Sequence, residues 1–445
     1  MRLWPKGGLW RHPDFLKLWS AETISQFGSQ ITGLALPLVA VIVLDVSAFQ
    51  VSVLFVLETA PFLLISLPAG VWVDRLPRRP ILVIGDIGRA ILLATVPIAY
   101  WMDALTIWQL YAVGLTVGVF TVFFDVAYQS YLPSLVEREQ LVDGNSKLEI
   151  SRSAAQLGGP AAAGVLIQVL KAPFAIVFDA VSFLVSGLFL FAIRKREENV
   201  PTRAERKAKG GSMKKELGEG LRWVLGNPYL RTICASTASF NFFSSMMGAI
   251  LIVYLVRQLE MSAGLIGLVF AIAQLGYLAG ALTANKVSTR IGVGPAIMTG
   301  AMCGVFLLLI PLAPQDAHAA VPFLIVAELF ASYGVVLYNV TQVSMRQAIT
   351  PERLQGRMNS VIRFIVWGVM PLGTLIGGAL ATRFDLHTAI WIGATGNALA
   401  WLPVTIGPVR TLREVPHVPD ETPERIAETE SEALVPGAIP QFEEP

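Results

Sequence analysis

The chain has 445 residues, of which 54% are hydrophobic and 15% charged, and its mean hydropathy is +0.60. This lies outside the soluble globular range and reads as a polytopic membrane protein. The net charge of +2 comes from basic residues scattered over short polar stretches, which excludes a nucleic-acid patch; Cys234 and Cys303 sit in apolar runs without metal-ligand spacing, which excludes a disulfide framework and a zinc site.

Residues 1–13 are polar and pass straight into a long apolar run without a small-residue cleavage site. No cleavable signal is expected, and the N-terminus is expected to stay in the cytosol. A span needs about 20 apolar residues. Such stretches occur at 15–44, 51–73, 81–101, 107–126, 148–170 and 174–193, and again at 229–256, 265–284, 295–312, 321–341, 361–381 and 389–409. The expected fold is an all-α membrane protein with twelve transmembrane helices. Between the second and third spans stand Asp74, Arg75, Arg78 and Arg79. A charge at the bilayer centre costs ~2.5–3.5 kcal/mol, so residues 70–79 read as a short turn outside the lipid.

With the N-terminus inside, the 34 Lys and Arg residues fall on the cytoplasmic side or at its helix ends, except Lys171, Arg257 and Arg383 outside and Arg89 within the third span. The positive-inside rule therefore predicts that both termini are cytoplasmic. The basic, Gly-containing stretch after Arg194 divides the chain into an N-terminal half, 1–193, a linker, 194–228, and a C-terminal half, 229–409. Within the linker Met213, Leu217, Leu221 and Leu225 recur beside Lys214, Lys215 and Arg222. Two readings stay open, an amphipathic helix on the inner leaflet and a solvated linker with some helicity.

At an offset of 214 residues, Ser130, Asn145, Ser146, Gly159 and Gly164 match Ser344, Asn359, Ser360, Gly373 and Gly378. The halves are therefore read as parallel repeats about an axis along the membrane normal. Residues 410–445 are Pro- and Glu-rich and are expected to be a disordered cytoplasmic tail.

Six plus six helices, a basic central linker, and Gly70-x-x-x-Asp74-Arg75-x-x-Arg78-Arg79 after the second span resemble the major facilitator superfamily, with Pro77 where that signature usually has Gly. Tyr131-Leu132-Pro133-Ser134, Gly144-Asn145-Ser146, Leu157-Gly158-Gly159-Pro160, Asp86-Ile87-Gly88-Arg89 and Phe178-Asp179-Ala180 are similar to the branch of bacterial macrolide, multidrug and enterobactin exporters. Gly159, Pro160 and Gly164 resemble the glycine-proline motif of drug and proton antiporters, with ordinary small-residue packing as the alternative. The resemblance implies a transporter of amphipathic organic compounds in the cytoplasmic membrane, working by alternating access with protons as the coupling ion, as a monomer without cofactor. An importer or lysophospholipid flippase of the same fold is the nearer alternative, and a membrane sensor or enzyme the remote one.

By the same resemblance the first, fourth, seventh and tenth helices line a central cavity. Glu22, Ser25, Gln26, Ser29 and Thr32 share one face of the first helix. The fourth offers Gly114, Gly118, Thr121 and Asp125, the seventh Ser236, Phe240, Asn241, Phe243 and Met247, and the tenth Glu328, Ser332, Asn339 and Gln342. An intramembrane carboxylate is functional by default. Glu22, Glu58 and Glu328 are therefore the candidate proton-coupling residues, with Gln26, Ser29, Phe240, Asn241, Phe243 and Asn339 as cavity contacts. Gly70, Asp74, Arg75, Arg78, Arg79, Asp86, Arg89, Asp125 and Glu149 form the candidate cytoplasmic gate. Within it Asp86, Asp125 or Glu149 would pair with Arg89, Arg78 or Arg79 would reach Asp125, and Asp74 would face the region of Asn359. Asp179 is expected near the external start of the sixth helix as a structural carboxylate.

Overall fold

The computed structural model describes residues 9–73, 76–137, 140–195 and 213–413. Among these are twelve helices long and apolar enough to cross a membrane, and no strand. They are α1 (Pro13–Leu38, continued by a π turn to Val43), α2 (Ala48–Val73), α3 (Arg78–Trp101), α4 (Ile107–Leu135), α5 (Leu141–Leu170) and α6 (Ala172–Phe191) in the first half. The second half contains α7 (Pro228–Arg257), α8 (Ala263–Ile291), α9 (Val293–Leu312), α10 (Ala317–Ala348), α11 (Glu352–Gly368, then Met370–Arg383) and α12 (Leu386–Ile406). A linker helix, Met213–Gly226, precedes α7.

Side-chain caps set where several of these helices begin. His12, Asn227, Ser262, Asp316 and Asp385 each accept a hydrogen bond from a backbone amide in the first turn of α1, α7, α8, α10 and α12. Each such bond satisfies a donor that the helix itself leaves unpaired. The stretch 70–79 is less of a loop than expected: α2 runs through Gly70 to Val73, and Arg78 and Arg79 already open α3. Asp74 and Arg75 lie outside the described residues.

The two ends of the bundle are packed differently. At the end remote from the termini, here the distal end, one apolar core joins both halves; it includes Val51, Ala163 and Ile176 from the first and Ile250, Ile266 and Ala381 from the second. At the terminal end each half keeps a core of its own, around Phe15, Leu82 and Tyr131 in one and Ile233, Ile297 and Met358 in the other. The bundle is therefore closed distally and parted toward the termini.

Two glycine contacts make the distal seam. A Cβ added at Gly164 of α5 would lie 2.7 Å from the Ala263 carbonyl oxygen and 3.0 Å from Gly267 Cα on α8. One added at Gly378 of α11 would lie 2.3 Å from Ser52 Oγ on α2. Gly164 and Gly378 are repeat mates at the 214-residue offset, so the two contacts stand in corresponding places on α5/α8 and α11/α2. Beside the seam, Arg257 Nη2 meets Asp45 Oδ1 at 2.5 Å and donates to the Val46 carbonyl at 2.9 Å, joining the end of α7 to the α1–α2 turn.

Candidate functional site

The first half carries a layer of charged side chains. Glu22 is buried on α1; the Gln26 amide one turn on donates to its Oε1 at 2.7 Å, and the Ser25 hydroxyl donates to its backbone carbonyl. The i, i+4 spacing places both groups on one face. Ser29 is half-buried on the same helix.

Asp86 and Arg89, three apart on α3, form an ion pair at 2.5 Å with Asp86 fully buried. The Ser186 hydroxyl on α6 donates to the other Asp86 oxygen at 2.5 Å. The Arg89 guanidinium lies 4.4 Å from the centroid of Phe124 and 4.1 Å from that of Phe183. A buried guanidinium thus has its counter-charge, a second acceptor in the Gly85 carbonyl, and an aromatic face on two sides. All of these partners belong to the first half. Of the three candidate partners for Arg89, Asp86 makes the contact. Asp125 is half-buried between Arg89 and Arg152, and Glu149 is exposed on α5.

Asp179 differs from its expected place. α6 begins at Ala172, so this carboxylate stands two turns inside the helix, 1% exposed, and accepts the Ser182 hydroxyl at 3.0 Å. It packs against Gly28 of α1, where an added Cβ would come within 2.4 Å of Asp179 Oδ1. The signal available in the sequence was the small polar line Asp179, Ser182 and Ser186, together with Gly28 on the partner helix.

Glu58 and Glu328 occupy comparable joints in the two halves. Glu58 on α2 fills the space left by Gly114 of α4, 3.1 Å from where a Cβ would stand, and its backbone carbonyl packs on Gly118. Gly114 and Gly118, expected to face a cavity, are instead the surface on which α2 and α4 approach. Glu328 lies on α10 beside Tyr277 of α8, where Gly276 packs on Leu329 and Ser332. Position 328 is the repeat mate of Gly114, so each half places one carboxylate between paired helices, contributed by opposite members of the pair. With α2 starting at Ala48 and α10 at Ala317, both are about 15–17 Å from the distal helix ends at ~1.5 Å rise per residue. Among the described residues neither carboxylate makes a hydrogen bond or an ion pair through its side chain.

In the second half the polar residues of α7 stitch helices together. The Ser236 hydroxyl donates to the Ala400 carbonyl at 2.7 Å, Thr237 pairs with the Tyr338 hydroxyl on α10, and the Asn241 amide donates to Val366 on α11 at 2.8 Å. Ser244 donates to Asn397 of α12, which is fully buried and donates onward to Gly393. Phe243 and Met247 correct the cavity expectation: the ring fills the place of a side chain at Gly396 and the thioether that at Gly393, so both point into α12. Phe240 is half-buried, and Asn339 is exposed on α10 with its Oδ1 toward the Gln342 amide.

The remaining candidates fall on the two ends. Gly159 packs on Gln30 of α1, Pro160 presents its carbonyl to Gly267, and Gly164 lies in the seam, so the glycine-proline motif bonds α5 to both α1 and α8. Arg79 holds the end of α6: its Nε donates to the Leu190 carbonyl at 3.2 Å, its terminal nitrogen to that of Phe191, and it lies over the Phe191 ring. A cation among C-terminal carbonyls is favoured there. The expected reach from Arg78 or Arg79 to Asp125 is not made, because Asp125 lies ten residues inside α4, about 15 Å from its terminal end at ~1.5 Å per residue.

A family profile described as transmembrane secretion effector matches residues 9–432. The multidrug efflux pump Tap of Mycolicibacterium fortuitum is 26% identical over 390 residues, 85% of this chain and 91% of that protein. The enterobactin exporter EntS of Citrobacter koseri is 23% identical over 430 residues, 93% of this chain and 96% of that one. Among solved structures, a bacterial homologue of the iron transporter ferroportin in an inward-facing state superposes with a TM-score of 0.73 at 18% identity, covering 90% of this chain and 99% of that one. With its twelve spans in two six-helix repeats and a profile match over nearly its whole length, the chain belongs to the transmembrane secretion effector family of major facilitator transporters, and is a multi-pass membrane transporter.

Proposed function

We propose that the chain exports amphipathic organic compounds across the cytoplasmic membrane in exchange for protons, as a monomer with both termini cytoplasmic. The observation that carries this reading is the pair Glu58 and Glu328, two carboxylates that make no ion pair or side-chain hydrogen bond among the described residues, each lodged at a helix joint of a different half. An ionised carboxylate in that setting is costly, so each is suited to take up a proton from one side and give it up to the other when the halves rock. The concentration of Lys and Arg at the terminal end makes that end cytoplasmic under the positive-inside rule. The state described here, closed distally, is then the one that loads substrate from the cytoplasm.

In this scheme Glu22 with Gln26, Ser29, Phe240 and Asn339 offers polar and aromatic contacts on the two sides of the terminal opening, a mixture that fits a bulky amphiphile. Asp86 and Arg89 brace α3 against α4 and α6 and move with the first half. Asp74, Arg75, Arg78 and Arg79 hold the terminal end when it closes. Efflux by Tap and EntS is what those relatives are named for, and the glycine-proline seam supports the same direction here.

The test is transport in oriented proteoliposomes under an imposed pH gradient, with a panel of dyes, macrolides and siderophores. Outward movement of at least one compound, dependent on the gradient, is expected; Glu58→Gln and Glu328→Gln should each lower gradient-driven flux more than tenfold while leaving downhill exchange. Inward accumulation would identify an importer. Wild-type driven flux from both variants would remove these carboxylates from coupling.

A further inference from the structure

We propose that the linker helix Met213–Gly226 is a docking surface for anionic lipid headgroups of the leaflet at the terminal end, and that it carries that contact to the terminal segment of α11. The inference rests on the chain spanning a membrane, and is independent of the direction of transport.

One side of this helix is fixed to the second half. Gly220 packs against the Arg357 carbonyl, 2.9 Å from an added Cβ, and against Val361; Val224 is fully buried and Asn227 caps α7. Glu219 is paired with Arg357 of α11. Among the described residues none covers the other side: Leu221 is 42% exposed, Leu225 47%, and Gly218 and Arg222 are exposed. At 3.6 residues per turn, positions 214, 218, 221 and 225 fall together, flanked by 215 and 222, in a sector opposite Gly220 and Trp223. The sequence places Lys214, Lys215 and Arg222 there beside the two leucines.

Charge decides the occupant. The carboxylate of Glu219 is spent on Arg357, and by helical position the sequence assigns to the open sector Lys214, Lys215, Arg222 and the two leucines, with no Asp or Glu among them. An apolar line edged with cations at the level where spans leave the bilayer matches the headgroup boundary of an anionic leaflet. The four-residue recurrence of Met213, Leu217, Leu221 and Leu225 is sharpened by the structure: Leu221 and Leu225 face outward, while the inward contact is made by Gly220 and Val224.

The consequence reaches α11 because that helix is in two pieces. Its terminal segment, Glu352–Gly368, carries Arg357 and Val361, and its distal segment, Met370–Arg383, carries the seam glycine Gly378. The backbone changes segment at Val369, with Pro371 in the first turn of the second piece. A lipid contact on the linker helix therefore restrains the terminal segment ahead of a break, and does so on the half that must move against α2.

The experiment labels Leu225→Cys with an environment-sensitive nitrobenzoxadiazole fluorophore, in a full chain carrying Cys234→Ala and Cys303→Ala, reconstituted in phosphatidylcholine vesicles with or without phosphatidylglycerol. With phosphatidylglycerol the emission should shift to the blue and be quenched by nitroxide-labelled lipid. Replacing Lys214, Lys215 and Arg222 by Gln should weaken the lipid-bound fraction roughly fivefold per charge removed, and high salt should act in the same direction. Arg410→Gln, a basic substitution elsewhere at the same end, should leave the signal unchanged. A water-like emission in both vesicles, or a blue shift that ignores lipid charge and the triple variant, would overturn the proposal.

Discussion

The two halves share a backbone plan and differ in what they bury. The first half encloses Glu22, Asp86, Arg89 and Asp179, with Asp125 half-buried beside them. The second half, at corresponding helices, is tied by neutral groups, Ser236, Thr237, Tyr338, Asn241, Ser244 and Asn397. Repeat mates such as Gly164 and Gly378 kept their role in the seam while polar residues diverged around them. The lesson is that the glycine positions carry the geometry of closure, and each half is free to hold its helices by a different chemistry.

The sharpest way to break this contrast is to strand the cation of the first half. Asp86→Asn removes the counter-charge of a guanidinium that is 5% exposed and should destabilise by about 3–5 kcal/mol, read as a lower Tm in detergent. Asp86→Leu with Arg89→Met should recover most of that loss, because an apolar pair can replace a buried ion pair. Equal loss in the single and double variants would show that the pair is not the source.

The neutral ties of the second half should respond less steeply. Asn397→Ala deletes the acceptor of Ser244 and a donor to Gly393 and should cost about 1–3 kcal/mol, measured in the same unfolding assay. At the seam, Gly164→Val puts a branched side chain where even a Cβ meets backbone at 2.7 Å. Overpacking of this kind costs about 1–3 kcal/mol, and here it should appear as greater reactivity of a cysteine placed at Ser52 toward a membrane-impermeant maleimide, with little loss of fold. The smallest effect belongs to Asp45→Asn. Its side chain is 89% exposed, so its pairing with Arg257 should contribute ~0.2–1 kcal/mol and shift the same labelling less than about fivefold, more at low salt than at high.

Much of the fold was legible because lipid imposes a simple rule: a span must be long and apolar, and charges mark its ends. The twelve spans follow from that rule. Which way a side chain points within the bundle was harder. Phe243 and Met247 share a face with cavity candidates, yet Gly393 and Gly396 on α12 drew them inward, and α7 is apolar on enough of its surface that periodicity does not select a partner. Asp179 was misplaced because its helix begins at Ala172, with a proline in its first turn, and a carboxylate seven residues on is deep rather than terminal. Arg79 found carbonyls at the end of α6, partners that carry no side-chain signature. Asp86 and Arg89 were legible as a pair because both lie on one helix, three residues apart.

The seam described at Gly164 and Gly378 has a kinetic corollary. Where helices meet through interlocked side chains, parting them requires many rotamers to disengage together. At Gly164 the contact is backbone against backbone, and at Gly378 it is one small serine side chain against a bare α-carbon. Such strips can part without side chains being unthreaded, so under the alternating access proposed above they would act as a low-friction bearing, firm enough to seal by close approach and able to release in one short movement.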